Sequence, residues 1–217
     1  MQSISLDSQS SDSLVYDQGG KIVVFDQTHT DSDRARTIVV QNNTRVEWYG
    51  LTTGTGHYSL HFITESGESL VRMLLLAKDN HIQTTVHSTL ASSYTLTNIH
   101  IISLAGESGI ITLNGVVEIT SGIQKVSGHI LEENIFLGSK GQIRGIPSLL
   151  VHSDDVEAGH AARIERIPDE KLYYLRARGI PRDDATVMMI RSSVFWLFSW
   201  LGEEQKEDIM SRVLTTL

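Results

Sequence analysis

The sequence predicts a mainly β protein, in which a parallel β-helix (a solenoid) is followed by a small C-terminal α-helical domain. From about residue 21 to residue 167, short runs of Val, Ile, Thr and Leu are punctuated by Gly, Ser, Asn and Asp, which is typical of successive strands. The strands end at small or polar corners that lie 14, 14, 15, 18 and 14 residues apart. These corners are Ala77-Lys78, Ala91-Ser92, Ala105-Gly106, Thr120-Ser121, Gly138-Ser139 and His152-Ser153. A short, nearly regular period without long helices indicates stacked coils, in which each strand pairs with its counterpart one coil later.

The main structural alternative is a β-sandwich built from hairpins. Two-residue hairpin turns favour the pair Asn-Gly, and Asn114-Gly115 is the single Asn-Gly in the chain. This weak hairpin signal modestly favours the solenoid over the sandwich.

The first two parts of the chain differ in their apolar pattern. Residues 1–15 are rich in Ser and have almost no periodic apolar signal, which predicts a disordered lead-in. Residues 16–167 form the predicted β-helix core. Alternation is clearest at residues 57–62, where Tyr58, Leu60 and Phe62 share one face of a strand.

The third part, residues 168–217, is the predicted helical domain. A short helix is expected from about residue 171 to Gly179, and a second helix begins near Pro181. Apolar residues then recur at helical spacing as far as Leu201, and Gly202 is a plausible stop. A last helix is expected at about residues 203–217.

Composition argues against several classes of function. The 217-residue chain has 18 Lys plus Arg against 26 Asp plus Glu, a net charge of −8, so we expect neither nucleic acid nor a membrane surface as a partner. It has no cysteine, which excludes disulfides, Cys-based zinc sites and an iron–sulfur cluster ligated by cysteines of this chain alone. The sequence has no phosphate-loop motif, so no nucleotide is expected. It also lacks a targeting segment and a membrane span, so the expected location is the cytoplasm.

Two C-terminal segments resemble a known protein family. Residues 148–162 read Ser-Leu-Leu-Val-His-Ser-Asp-Asp-Val-Glu-Ala-Gly-His-Ala-Ala, which is an apolar strand, an Asp pair before Val, and a His followed by small residues. Residues 172–180 read Leu-Tyr-Tyr-Leu-Arg-Ala-Arg-Gly-Ile. Over about residues 108–200 the chain resembles the SufB/SufD family of iron–sulfur cluster assembly proteins, and it is closer to SufD than to SufB.

The resemblance implies a parallel β-helix core with a C-terminal helical domain, which the periodicity predicts independently. It also implies two partners: a SufC-like ABC-type ATPase that docks on the C-terminal helices, and a SufB/SufD-type paralogue or second copy that pairs through the β-helix. A transient iron–sulfur cluster, shared with the partner chain, is expected at that junction. Because this chain lacks cysteine, either the partner supplies the sulfur chemistry or the chain retains only assembly contacts.

His160, Glu132 and Glu133 are the candidate metal ligands. His160 is the signature histidine, and neutral imidazole is a good ligand for iron. The alternative for His160 is an inert side chain packed at a coil corner. SufB uses a cysteine on a late strand, and Glu132 or Glu133 occupies the comparable stretch here. Their carboxylates would be hard oxygen ligands, and the alternative is a solvated strand end.

A partner interface is expected on the helical domain. Residues 194–201 are apolar all round a helix, which fits either a docking surface or burial against the solenoid. Around Gly179, cations and aromatics make either a ledge for the ATPase, as the resemblance implies, or a helix end with cations against its dipole. The interface candidates are Tyr173, Tyr174, Arg176, Arg178, Gly179, Phe195, Trp196 and Trp200.

The sequence thus predicts a non-enzymatic, SufD-like scaffold. Its terminal strands, including about residues 143–151, are expected to pair with another chain, because a solenoid with a bare last strand invites uncontrolled pairing. Two alternatives stay open. One is a β-helix carbohydrate lyase or hydrolase, for which Asp154-Asp155 would be an acidic pair. The other is a purely structural dimer that binds no cluster.

Overall fold

A computed structural model describes residues 2–6, 11–167, 169–199 and 201–216, and it is a β-solenoid followed by helices. The strands are β1 (Gln2–Leu6), β2 (Ser13–Tyr16), β3 (Gly20–Thr30), β4 (Arg34–Val40), β5 (Thr44–Gly54), β6 (Gly56–Thr64), β7 (Gly67–Ala77), β8 (His81–Leu90), β9 (Leu96–Ala105), β10 (Ile110–Ile119), β11 (Val126–Phe136), β12 (Gln142–Gly145), β13 (Ser148–Val151) and β14 (Val156–Arg166). The helices are α1 (Asp169–Arg176), α2 (Arg182–Leu197) and α3 (Glu203–Thr216).

Successive strands alternate between two parallel sheets. Sheet A has the order β1-β3-β5-β7-β9-β11-β14, and sheet B has the order β12-β10-β8-β6-β4-β2, with β13 also paired to β10. Each coil therefore contributes one strand to each sheet and pairs with the coil before and after it. Gly20 pairs with Thr44 and Val126 pairs with Val156, so a coil takes 24 residues early in the chain and 30 residues late. The predicted parallel β-helix is confirmed, and the hairpin sandwich is wrong.

The solenoid interior is filled by the alternating side chains of both sheets. On β6, Tyr58, Leu60 and Phe62 are buried as the alternation predicts, and Trp48 of β5 meets Phe62 edge-on at 5.5 Å between ring centroids. Tight corners let the coils stack. A Cβ on Gly67, whose φ is +112°, would lie 2.1 Å from the backbone oxygen of Thr44, so only glycine fits there.

A second apolar core lies outside the solenoid, between sheet A and the helices. Ile190, Val194 and Phe198 pack against apolar side chains on the outer face of the odd-numbered strands. The Phe198 ring contacts Phe25 and Tyr49, with centroids 6.3 and 6.2 Å apart. The helices therefore share their core with the solenoid, because α2 and α3 have no other large apolar surface to bury against.

The N-terminal residues differ from the predicted disordered lead-in. Residues 2–6 form β1, which pairs with β3, and residues 13–16 form β2, which pairs with β4. Residues 1 and 7–10 of that segment lie outside the described residues. The side chains of β1 are mostly exposed and have no clear apolar alternation, so the sequence pattern did not indicate a strand. The strand forms because its backbone pairs with the next coil.

Candidate functional site

The last coil leaves two sheet edges open. Within the described part of the chain, β14 pairs with β11 alone, and β12 and β13 pair with β10 alone. Several apolar side chains are exposed there: Ile164 on β14 is 60% exposed, and Ile146, Leu150 and Val151 next to the other edge are also exposed. Unpaired backbone groups beside exposed apolar side chains make this end a template for strand pairing.

His160 lies in the middle of β14, at this open end. It pairs in register with Ile130, whose side chain points into the solenoid. Directly paired residues of parallel strands share a face, so His160 also faces the interior side. No further coil of the described chain covers it, and its side chain is exposed. The histidine is therefore not packed at a coil corner, which was the alternative to a ligand role.

Glu132 lies on the same face, one strand further in. It pairs with Ala162, two residues beyond His160, and it is 0% exposed. Neither carboxylate oxygen has a hydrogen-bond partner, and the side-chain amide of buried Asn134, two residues on, has none either. Burial raises the pKa of Glu132 to about 7; the backbone N–H of Gly115 is near enough to oppose this rise in part, although it falls short of hydrogen-bond geometry.

Two glycines of sheet B make room for the Glu132 carboxylate. A Cβ on Gly115 would lie 2.6 Å from Oε1 of Glu132, and a Cβ on Gly145 would lie 2.7 Å from Oε2. Since real Cβ atoms do not approach this closely, a larger residue at either position would displace the carboxylate. The sequence interpretation missed both glycines and Asn134. Asn134 could have been predicted to point inward, because it continues the alternation of inward residues that includes Gly128 and Ile130.

Another interior carboxylate shows how unusual this environment is. Asp26 in β3 is also buried, but it accepts hydrogen bonds from the Tyr58 hydroxyl and, at 3.2 Å, from the Thr28 hydroxyl. The guanidinium Nε of Arg36 lies 3.6 Å from its Oδ2. Buried polar groups are normally paired in this way, so unpartnered polar atoms in one place require an explanation. Glu132 and Asn134 together leave four buried side-chain atoms without a hydrogen-bond partner.

Glu133 is separated from this site because neighbouring residues of a strand point to opposite faces. Its Oε1 lies 2.6 Å from Nε2 of His100 on the outer face of sheet A, and its Oε2 lies 3.5 Å from Arg163. Burial lowers the pKa of His100, and the hydrogen bond to Glu133 opposes that change. The structure therefore brings Glu132 and His160 to one face and places Glu133 on the other. Among the described residues, no group of three or more His, Cys, Asp or Glu side chains is arranged to hold a metal ion.

The predicted interface residues of α1 are mostly exposed. Tyr173 and Tyr174 project into solvent, and the Arg178 guanidinium lies 4.6 Å from the centre of the Tyr174 ring. Gly179 ends the segment with a φ of +86°, which suits glycine, and its N–H bonds to the carbonyl of Arg176.

The apolar run of α2 divides between burial and exposure. Val194, Leu197 and Phe198 are buried against sheet A, and Phe195 is half-buried between the Arg191 and Lys206 cations. Trp196 is 62% exposed, with its ring 5.1 Å from that of His100. Trp200 lies outside the described residues. Most of the run therefore serves the outer core.

The acidic pair Asp154-Asp155 lies in an exposed bend before β14. The carbonyl of Asp155 accepts a hydrogen bond of 2.8 Å from the N–H of Lys125 in the preceding coil. This bond is made by the main chain and ties the bend to the preceding coil, so it does not depend on the Asp side chains.

Fold and site together define a class of protein: a parallel β-helix whose last coil has open edges and carries an inward histidine beside a buried, unpartnered carboxylate. The chain belongs to the family described as SUF system FeS cluster assembly, SufBD core domain, whose family model matches residues 23–193. Membership in this family implies a role in iron–sulfur cluster assembly. None of the helices in the described ranges is long and apolar enough to cross a membrane.

Particular relatives place the chain on the SufD side of the family. It is 30% identical over 112 residues to the iron–sulfur cluster assembly protein SufD of Escherichia coli, an alignment that covers 51% of this chain and 26% of the relative. It is 38% identical over 77 residues to SufD of Bacillus subtilis, which covers 36% of this chain and 18% of the relative. A SufBD family protein of Archaeoglobus fulgidus is 36% identical over 85 residues, covering 39% and 23%. The matched regions thus span about a quarter or less of these relatives.

Proposed function

We propose that this chain is a non-enzymatic, SufD-like scaffold that pairs end to end, through its last coil, with a SufB/SufD-type chain or a second copy of itself. The single observation that supports this most strongly is the open end of the solenoid. There, unpaired edge strands and exposed apolar side chains surround the inward histidine His160. Pairing across this end would cover the apolar side chains and continue both sheets into the partner.

The same end would contribute ligands to a nascent iron–sulfur cluster, which is the cargo of the assembly. His160 offers an imidazole nitrogen, and Glu132 offers a carboxylate that lacks a partner in the described structure. Because the chain has no cysteine, thiolate ligands would come from the partner chain or from the sulfur donor. Glu133 has no part in this role, since it bonds to His100 on the other face.

The helices would recruit the ATPase. Tyr173 and Tyr174 remain exposed and Arg178 stacks on Tyr174, which gives a positively charged aromatic surface at α1, and Trp196 is a further exposed aromatic residue on α2. Exposed aromatics with Arg are the residue types that dominate binding energy at protein interfaces. The chain needs no nucleotide site of its own in this arrangement.

Anaerobic reconstitution with iron and sulfide tests the scaffold function. The chain is mixed with its SufB-type paralogue, and iron and sulfide retained by the co-eluting complex are measured. We expect His160→Ala and Glu132→Ala each to lower retention by about tenfold, in the range seen when metal-site side chains are removed. His129→Ala and Glu157→Ala, on the outer face of the same strands, are the matched controls and should retain wild-type levels. The proposal is contradicted if His160→Ala and Glu132→Ala retain as much iron and sulfide as wild type. It is also contradicted if the chain does not co-elute with a paralogue.

A further inference from the structure

The outer face of sheet B carries a row of polar side chains rich in histidine. The helices of the described chain pack against sheet A, so this second face has no such cover. Four histidines lie on it: His57 and His61 on β6, and His81 and His87 on β8. Each of their Nε2 atoms lies within 3.5 Å of a threonine hydroxyl. None of these side chains belongs to the site at the end of the solenoid.

One pair among these histidines differs from the others. His61 and His87 are directly paired on neighbouring strands, and their rings stack with centroids 4.6 Å apart and planes 20° apart. Nε2 of His61 lies 3.0 Å from the hydroxyl of Thr89, and Nε2 of His87 lies 3.5 Å from the same hydroxyl. On the next strand, Oε2 of Glu118 lies 3.0 Å from Nε2 of His87. Three neighbouring strands thus direct two imidazoles and a carboxylate to one place.

We propose that His61 and His87, supported by Glu118, form a surface site for a divalent first-row transition metal ion such as Zn²⁺. Imidazole nitrogen is a preferred ligand of these ions, and a carboxylate beside a ligating histidine either joins the coordination or orients the ring. The His87 Nε2 and Glu118 Oε2 atoms are within hydrogen-bond distance of each other, so the carboxylate already lies beside one of the two imidazoles.

In the described structure the side chains of His61, His87 and Glu118 do not converge on one point. No group of three or more His, Cys, Asp or Glu side chains among the described residues is arranged to hold a metal ion. The site is therefore a two-histidine chelate that Glu118 completes by a side-chain rotation. Such a rotation is open to it, since the Glu118 and His87 side chains are each 30% exposed. Burial and the neighbouring His87 imidazole also lower the pKa of His61, which keeps its ring neutral and its lone pair available.

Calorimetric titration of the untagged full chain with Zn²⁺ tests this proposal. We expect one ion per chain, with affinity weakened at least about tenfold by His61→Ala or by His87→Ala and several-fold by Glu118→Gln. His57→Ala and His81→Ala are matched controls, because they are on the same face with the same histidine–threonine contact but without a second ring. They should bind as wild type does. Circular dichroism confirms that each variant is folded.

The outcomes separate this site from the rest of the chain. A wild-type chain that binds no Zn²⁺ at millimolar concentration overturns the proposal. Equal loss of Zn²⁺ affinity in His57→Ala and His61→Ala also overturns it. Electron paramagnetic resonance with Cu²⁺ gives a second readout, in which two nitrogen ligands are expected and one or none contradicts the assignment. Since the site lies on the other sheet, these results are independent of cluster reconstitution.

Discussion

Glu132 has an unusual environment for an interior carboxylate. A carboxylate that is 0% exposed and has no hydrogen-bond partner favours its neutral form, which is why burial raises its pKa to about 7. Gly115 and Gly145 face the carboxylate from sheet B, and their lack of a side chain leaves the space that it occupies. Ionisation of such a buried carboxyl lowers the free energy of unfolding, and this decrease can be measured.

Stability should depend on pH through Glu132. In the unfolded chain its pKa is near the ordinary 4.5, so between about pH 4.5 and pH 7 the folded state holds a proton that the unfolded state has lost. The free energy of unfolding therefore falls as pH rises through this window, by at most about 3.5 kcal/mol at roughly 1.4 kcal/mol per pKa unit. Glu132→Gln cannot ionise and should remove this loss.

Urea denaturation at pH 5 and pH 8 checks the prediction. Glu132→Gln should unfold at clearly higher urea concentration than wild type at pH 8 and at nearly the same concentration at pH 5. The exposed Glu107→Gln is the control and should change neither. A stability difference between Glu132→Gln and wild type that is the same at both pH values would show that the carboxylate is not held neutral.

The sequence identified the candidate residues better than their positions. The resemblance identified His160, and both acidic residues of the comparable strand were proposed together. The alternation of β11 through Gly128 and Ile130 already places Glu132 inward and Glu133 outward, but the sequence interpretation did not use it to choose between them. Gly115 and Gly145 belong to different strands of sheet B, so their approach to Glu132 depends on the closure of the coil and has no signal in the local sequence.

At the level of elements, the strand ends were predictable and the first strands were not. The small corners at Ala77 and Ala105 coincide with the ends of β7 and β9, because the turn between coils needs small or polar residues. β1 was missed since its strand character comes from backbone pairing with β3. The helices were predicted within a few residues, but that α2 and α3 cover sheet A follows only from the tertiary structure.

Substitutions in and next to helix α2 should affect stability and partner binding separately. Phe198, which follows α2, is 0% exposed in the outer core, so Phe198→Ala should lower the free energy of unfolding by about 3 to 5 kcal/mol. Trp196 is largely exposed, so Trp196→Ala should cost about 1 kcal/mol or less and should reduce co-purification with the ATPase.

Urea denaturation and pull-down of the ATPase measure the two effects separately. Met188→Ala, another exposed apolar position on α2, is the control and should leave both nearly unchanged. If Trp196→Ala destabilises the fold as much as Phe198→Ala, the tryptophan belongs to the outer core. If it leaves ATPase binding intact, Trp196 is not part of the surface that recruits this partner.

At the scale of the whole molecule, the two ends of the solenoid give a comparison within one chain. The last coil exposes Ile164 and unpaired edges of β14, β12 and β13. The first coil exposes Val15, 56% accessible, on the short strand β2, which pairs with β4. We expect pairing through the last coil, where apolar side chains and the inward histidine occur together. Both ends are otherwise built from the same parallel sheets.

Site-specific cross-linking tests this pairing most directly, because the chain has no native cysteine. Single cysteines are introduced as Ile164→Cys and Val15→Cys, and each variant is treated with a short thiol-reactive cross-linker, alone and with the SufB-type paralogue. Rapid, concentration-dependent cross-linking of Ile164→Cys to its partner chain, with little product from Val15→Cys, is the predicted result. Equal yields at both positions, or product only at Val15→Cys, would contradict pairing through the last coil.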